Sequence, residues 1–140
     1  DLDGYGDWFM KQAEEERGHG MRIARFITEV GAELEIPSIQ APEAKFENIE
    51  HCFKLTLEHE EYVTHAVHQI VDLALREHDY TTNNFMQWYV NEQVEEEATA
   101  RMILGRVRRC QGNPSALLIV ETQLVEGKLK TSALLGAEKD

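Results

Sequence analysis

Basic charge is what this chain most lacks. Lys and Arg number 14 against 26 Asp and Glu, a formal net charge of -12 over 140 residues. Binding to nucleic acid needs clustered cations to neutralise phosphates, so the balance argues against that class. Cysteine is scarce as well. Cys52 and Cys110 form neither a CxxC nor a disulfide framework, and both are expected to be reduced thiols of a cytoplasmic protein. No apolar run approaches the roughly 18 residues of a membrane span, and no signal peptide is visible, so no membrane partner is expected. The chain opens at Asp1 without an initiator Met, and that makes a missing leader weak evidence about targeting. There is no Gly-rich phosphate loop, no defensible Ser/His/Asp arrangement, no HExxH, no internal repeat and no convincing strand.

What remains is an ordinary globular composition, 42% hydrophobic and 29% charged, in a length that suits one domain. The excess carboxylates repel one another unless cations or solvent relieve them, so an oxygen-loving cation is a natural partner.

Periodicity reads as helices throughout. Residues 1–6, DLDGYG, look turn-like, and Asp7 is a plausible N-cap. Trp8, Phe9, Ala13, Met21, Ile23, Ala24, Phe26, Ile27, Val30 and Leu34 then recur largely at spacings of three and four, predicting one long amphipathic helix to about Leu34. Gly18, Gly20 and Gly31 weaken it by up to about 1 kcal/mol each against Ala. Glycine beside metal ligands can also signal close backbone approach. Pro37 and Pro42 break the pattern, and 36–45 read as an extended connection. A second helix is expected from about Asn48 to Glu77. A turn over His78–Thr82 follows, with Thr81, Thr82 or Asn83 as the next cap. A third helix should run from about Asn83 to Cys110 and a last short one from Ser115 to about Val125, with Pro114 in its first turn. The stretch after Glu126 has no clear periodicity and reads as a tail that can be mobile. Helices near 28 residues span roughly 42 Å and suit a bundle, yet three long helices and one short one do not close a four-helix bundle.

Three constellations carry chemistry. Glu16 and His19 are three apart and stack on one helix face, half of a metal site; Glu-x-x-His pointing inward is the pattern of di-iron carboxylate bundles. Taken alone, the pair is more simply a solvated charged face. Around Gln93, the four acids Glu92, Glu95, Glu96 and Glu97 crowd like charges at spacings that repel in an isolated helix, which implies either exposure or a cation among them. Glu60 lies three residues from both Leu57 and Val63, on the buried side of its helix, and a buried carboxylate needs a partner, a proton or a metal. His51, His59, His65 and His68 read as outward polar residues. Three inward carboxylate positions and one imidazole together suit Fe, Mn or Zn.

These stretches resemble ferritin of the bacterial and archaeal non-haem type. The resemblance rests on Trp8-Phe9 through Ala13-Glu14-Glu15-Glu16-Arg17-Gly18-His19, on Glu58-His59-Glu60-Glu61, and on the fourteen residues from Asn84 to Glu97. It covers roughly residues 1–126, leaving 127–140 as the C-terminal tail. It implies an all-α ferritin-like four-helix bundle with a long crossover and a short fifth helix. The family's first long helix, which supplies a Glu ligand and a nearby Tyr, is expected to be missing from this sequence or to precede Asp1; Tyr5 does not take over that tyrosine's role. The resemblance further implies iron storage. Two Fe(II) would be oxidised by dioxygen at a ferroxidase centre, and ferric mineral would be laid down inside a homo-oligomeric 24-subunit shell. Glu16 would bridge the two irons, His19 would bind the first, and Glu60 and Glu96 the second, with Gln93 close by. Glu15, Glu92 and Glu95, with Glu96, resemble a third iron site. A rubrerythrin-type oxidase is a weaker alternative, because the equivalent of its second Glu-x-x-His is Gln93-Val94-Glu95-Glu96. An inactive shell or structural subunit is another, supported by the missing first-helix Glu. Haem ligation through Met21, as in a bacterioferritin, is disfavoured, since Met at helical spacing is more often packing filler.

Overall fold

The computed structural model describes residues 2–42 and 45–129. The architecture is all-α. Three long helices, α1 (Asp3–Glu29), α2 (Ile49–Arg76) and α3 (Tyr80–Cys110), precede the short α4 (Pro114–Val125), and there is no strand among the described residues. The tail beyond Leu129 lies outside the described residues.

α2 and α3 are an antiparallel pair. At one end Arg108 Nε meets Glu50 Oε1 at 3.2 Å, and towards the other Val67 packs with Met86 and Tyr89. Their starts are capped by short polar side chains, which satisfy amide donors that the helix itself leaves open. Asn48 accepts from His51 N, Asp79 from Thr82 N, and Asn113 from Ala116 N with Pro114 in the first turn of α4. α3 therefore begins at Tyr80, three residues before the expected Asn83, because Asp79 caps it ahead of Thr81 and Thr82. His78, at φ 57, turns the chain between the two helices.

α1 departs further from expectation. The DLDGYG segment is helical from Asp3, and Asp7 is inside the helix rather than its cap. No side chain of α1 caps its start. Instead Gly4 N donates to Glu121 Oε1 on α4 at 2.7 Å, and Tyr5 donates its hydroxyl to Leu117 O at 2.8 Å. A Cβ on residue 4 would lie 2.7 Å from Glu121 Cγ, so only glycine allows this approach. The helix ends at Glu29 rather than Leu34, because Gly31 takes φ +79 and reverses the chain. Gly18 and Gly20, read as possible points of close approach, have open space where a Cβ would be.

Two apolar clusters hold the bundle. The larger joins Tyr5, Phe53, Ile103, Val107, Val120 and Leu124 and takes in Leu129 from beyond α4. Phe53, fully buried, is its hub, with Tyr5, Trp8 and Phe9 ringed around it at 6.0, 5.2 and 5.2 Å between centroids. The smaller joins Val67, Met86 and Tyr89. Nearby, Phe26 of α1 stacks on Phe85 of α3 at 3.9 Å. Between the clusters, at mid-length of all three long helices, lies a polar layer. Cys52 and Cys110 are both free thiols, in accord with the sequence reading.

Candidate metal centre

The polar layer is built by one turn of each long helix. On α1 the i,i+3 spacing puts Glu16 and His19 together, with His19 Nδ1 3.5 Å from Glu16 Oε2. From α3, Glu96 brings Oε1 to 3.7 Å from the same nitrogen. Glu16, His19 and Glu96 form one group whose ligand atoms lie within 4.8 Å of each other; Glu15, His19 and Glu92 form a second. The imidazole is common to both. Glu60 of α2 belongs to neither group but lines the same cavity of about 260 Å³, as do Glu95, Trp8, Phe9 and Leu129.

His19 is held from outside the layer. Tyr89 donates its hydroxyl to His19 O at 2.8 Å, and the Trp88 ring meets the imidazole edge-on at 5.2 Å. Arg22, one turn along α1, sits 4.3 Å over the Trp88 ring. Gln93, almost fully buried, donates from Nε2 to Glu60 O at 3.1 Å, and Glu60 Oε2 and Thr64 Oγ1 lie within reach of the same nitrogen at 3.4 and 3.3 Å.

Electrostatics set Glu96 apart. Both of its carboxylate oxygens are buried without a hydrogen-bond partner, since His19 at 3.7 Å is beyond bonding distance. Burial, reinforced by the neighbouring Glu16 and Glu60 carboxylates, pushes its pKa up to about 8. Burial also raises Glu60, against the pull of the Gln93 bond. The Glu16 hydrogen bond raises His19, against burial and with help from Glu96. Such a layer is short of positive charge. A cation would supply the partner that Glu96 lacks and release protons as it bound. Carboxylate oxygens with one imidazole nitrogen fit a hard to borderline ion such as iron, manganese or zinc.

The structure thus brings together Glu15, Glu16, His19, Glu60, Glu92, Gln93, Glu95 and Glu96. Glu97, read as part of the same acidic run, points elsewhere: it accepts from Thr64 Oγ1 at 2.6 Å and pairs with Arg101 at 3.0 Å. Thr64 carries no metal-ligand signal in the sequence, although it is four residues after Glu60 and so on the same helix face. His59, His65 and His68 are exposed, as read; His51 is half-buried and accepts from Glu47 N. Met21 corrects the expectation of packing filler: it is 47% exposed, in an open groove with Arg17, Arg22 and Arg25.

Comparison with known proteins agrees with this geometry. Residues 1–110 match the ferritin family, as a ferritin-like domain. Bacterial non-heme ferritin of Staphylococcus aureus is 34% identical over 122 residues, covering 87% of this chain and 74% of its own length. That of Campylobacter jejuni is 36% identical over 107 residues, covering 76% of this chain and 64% of its own. The open pore ferritin of the hyperthermophilic archaeon Archaeoglobus fulgidus superposes with a TM-score of 0.87 at 35% identity, over 89% of this chain and 77% of that one. A humanized archaeal ferritin gives the same TM-score at 37% identity, over 89% and 76%. The resemblance read from the sequence is borne out: the chain belongs to the ferritin family, in its bacterial and archaeal non-haem branch.

Proposed function

We propose that this protein stores iron, taking up Fe(II), oxidising it with dioxygen at the carboxylate–imidazole layer, and depositing ferric mineral inside a cytoplasmic homo-oligomeric shell of the 24-subunit kind. The observation that carries the reading is Glu96, a buried carboxylate with two unpartnered oxygens facing other carboxylates and one imidazole. In this reading Glu16 bridges two ions, His19 holds the first, and Glu60 and Glu96 hold the second with Gln93 alongside. Glu15, Glu92 and Glu95 bind a third together with Glu96. Hard anionic oxygens stabilise Fe(III) over Fe(II), which lowers the potential and makes transfer of electrons to dioxygen downhill. The surplus of negative charge, -12 per chain, draws Fe(II) towards the shell. This work belongs to the helical domain of residues 1–126, against which Leu129 of the following stretch packs.

A second reading is an inactive shell or structural subunit. It is favoured by the first ion: with Glu96 given to the second, the first keeps only Glu16 and His19 of the group that all three residues form. Anaerobic Fe(II) loading followed by air separates the two. A fast absorbance phase that saturates near two irons per chain, and is lost in a Glu16→Ala/His19→Ala double variant, is the expected result. Oxidation no faster than a protein-free control, or unchanged in the double variant, would overturn the ferroxidase assignment.

A further inference from the structure

Thr64 and Glu97 carry no role in the reading above, yet they are built into the centre. Gln93 Nε2 has two hydrogens and three acceptors within reach: Glu60 O at 3.1 Å, Thr64 Oγ1 at 3.3 Å and Glu60 Oε2 at 3.4 Å. The carbonyl takes one hydrogen. The second lies between Thr64 and the Glu60 carboxylate, at distances that differ by only a tenth of an ångström. Thr64 has a single hydroxyl hydrogen, and that hydrogen is committed to Glu97 Oε1 at 2.6 Å. Towards Gln93, therefore, Thr64 can only accept. Glu97 is in turn fixed by Arg101 at 3.0 Å.

We propose that Thr64, locked by Glu97, is a positioning residue for Glu60: it is the spare acceptor that takes the Gln93 amide hydrogen when Glu60 turns its carboxylate onto a cation. The proposal rests on Glu60 being a ligand, as read above. Its physical basis is the cost of an orphan donor. Gln93 is 4% exposed and does not line the cavity, so its amide is shielded from bulk solvent. A buried N–H left without a partner is expensive. Without Thr64, Glu60 would have to choose between the amide and the cation. With it, the carboxylate can leave Gln93 at almost no loss, and the amide stays in register for its return. Glu97 contributes by fixing the direction of the hydroxyl, so that a lone pair and not the hydrogen faces Gln93.

The test uses Co(II), redox-silent under anaerobic conditions and coloured, titrated into the full-length assembly, with the fast Fe(II) oxidation phase as a second readout. Thr64→Val keeps the shape and removes the acceptor. It should weaken one Co(II) step by about tenfold or more, the usual scale for losing an outer partner of a ligand, and leave the other step in place. Thr64→Ser should restore the affinity. Glu97→Ala should behave like Thr64→Val, whereas Glu97→Gln, whose carbonyl can still accept from Thr64, should stay near wild type. Circular dichroism checks that each variant is folded, and the serine variant keeps the comparison open if valine disturbs the helix. Thr64→Val binding like wild type, Thr64→Ser as weak as Thr64→Val, or Glu97→Gln as weak as Glu97→Ala would each overturn the proposal. Glu60→Ala distinguishes the two levels. If it changes neither Co(II) step, the assignment of Glu60 has failed; if it removes one step and Thr64→Val removes none, only the role of Thr64 has.

Discussion

Glu96→Gln should stabilise the metal-free protein, and the gain should depend on pH. Glutamine has the shape of the protonated acid and cannot ionise. Wild-type Glu96 has its pKa raised from 4.5 to about 8, and its side chain is 12% exposed. Below pH 4.5 the folded and unfolded chains both hold the proton, and the two proteins should be equally stable. As pH rises, the unfolded chain releases the proton first, so the wild type loses stability until the folded pKa is passed. At pH 7 the gap of about 2.5 pH units, at about 1.4 kcal/mol each, amounts to roughly 3 kcal/mol. For a chain of this size that is about 10 °C in melting temperature. The raised Glu60 and His19 work in the same direction, Glu60 from its own ordinary range upward and His19 as pH passes 6.5 and then its higher folded value. Calorimetry in chelator at pH 5, 7 and 8 measures the gap. Adding a divalent metal should reverse the order, because the ion stabilises only a protein that can bind it. A gap no wider at pH 8 than at pH 5 would refute the argument that Glu96 is an uncompensated buried acid.

Other perturbations probe the scaffold. Phe53→Ala empties the hub of the larger cluster and should cost about 3–5 kcal/mol in denaturant unfolding. Gly4→Ala drives a Cβ to 2.7 Å from Glu121 and 2.8 Å from Val125, and should cost about 1–3 kcal/mol while sparing metal binding at mid-bundle. Asn113→Ala removes the cap of α4 and should lower stability by about 1 kcal/mol, read as a shift in denaturant midpoint.

How far the sequence was legible differs from helix to helix. α2 is legible almost to the residue, because Asn48 is a strong cap and its apolar stripe is regular. The same stripe placed Glu60 inside, since Leu57 and Val63 flank it at helical spacing. The start of α1 is not legible in the sequence, because the signals that set it are not local. Gly4 and Gly6 argue for a turn, and what makes the segment helical is α4, over a hundred residues away, which accepts the Gly4 amide and the Tyr5 hydroxyl. The centre was legible as ligand types and spacing. Which acids of the run from Glu92 to Glu97 share one hole was not, because that depends on the rotation of α3 against α2. The rotation turns Glu96 into the cavity and its neighbour Glu97 out to Thr64 and Arg101.

The order of the layers along the bundle has a consequence for how it breathes. Most helical bundles fray from their ends, where side chains are wet and contacts few. Here both ends are zipped by aromatic clusters and the weak point is the waist, where acids face one another. Backbone amides of α3 near Gln93 should therefore exchange with solvent sooner than those near Tyr89 or Ile103 when metal is absent, and become among the slowest once it is bound. The ion would then act as a clasp that converts two stacked half-bundles into one continuous rod.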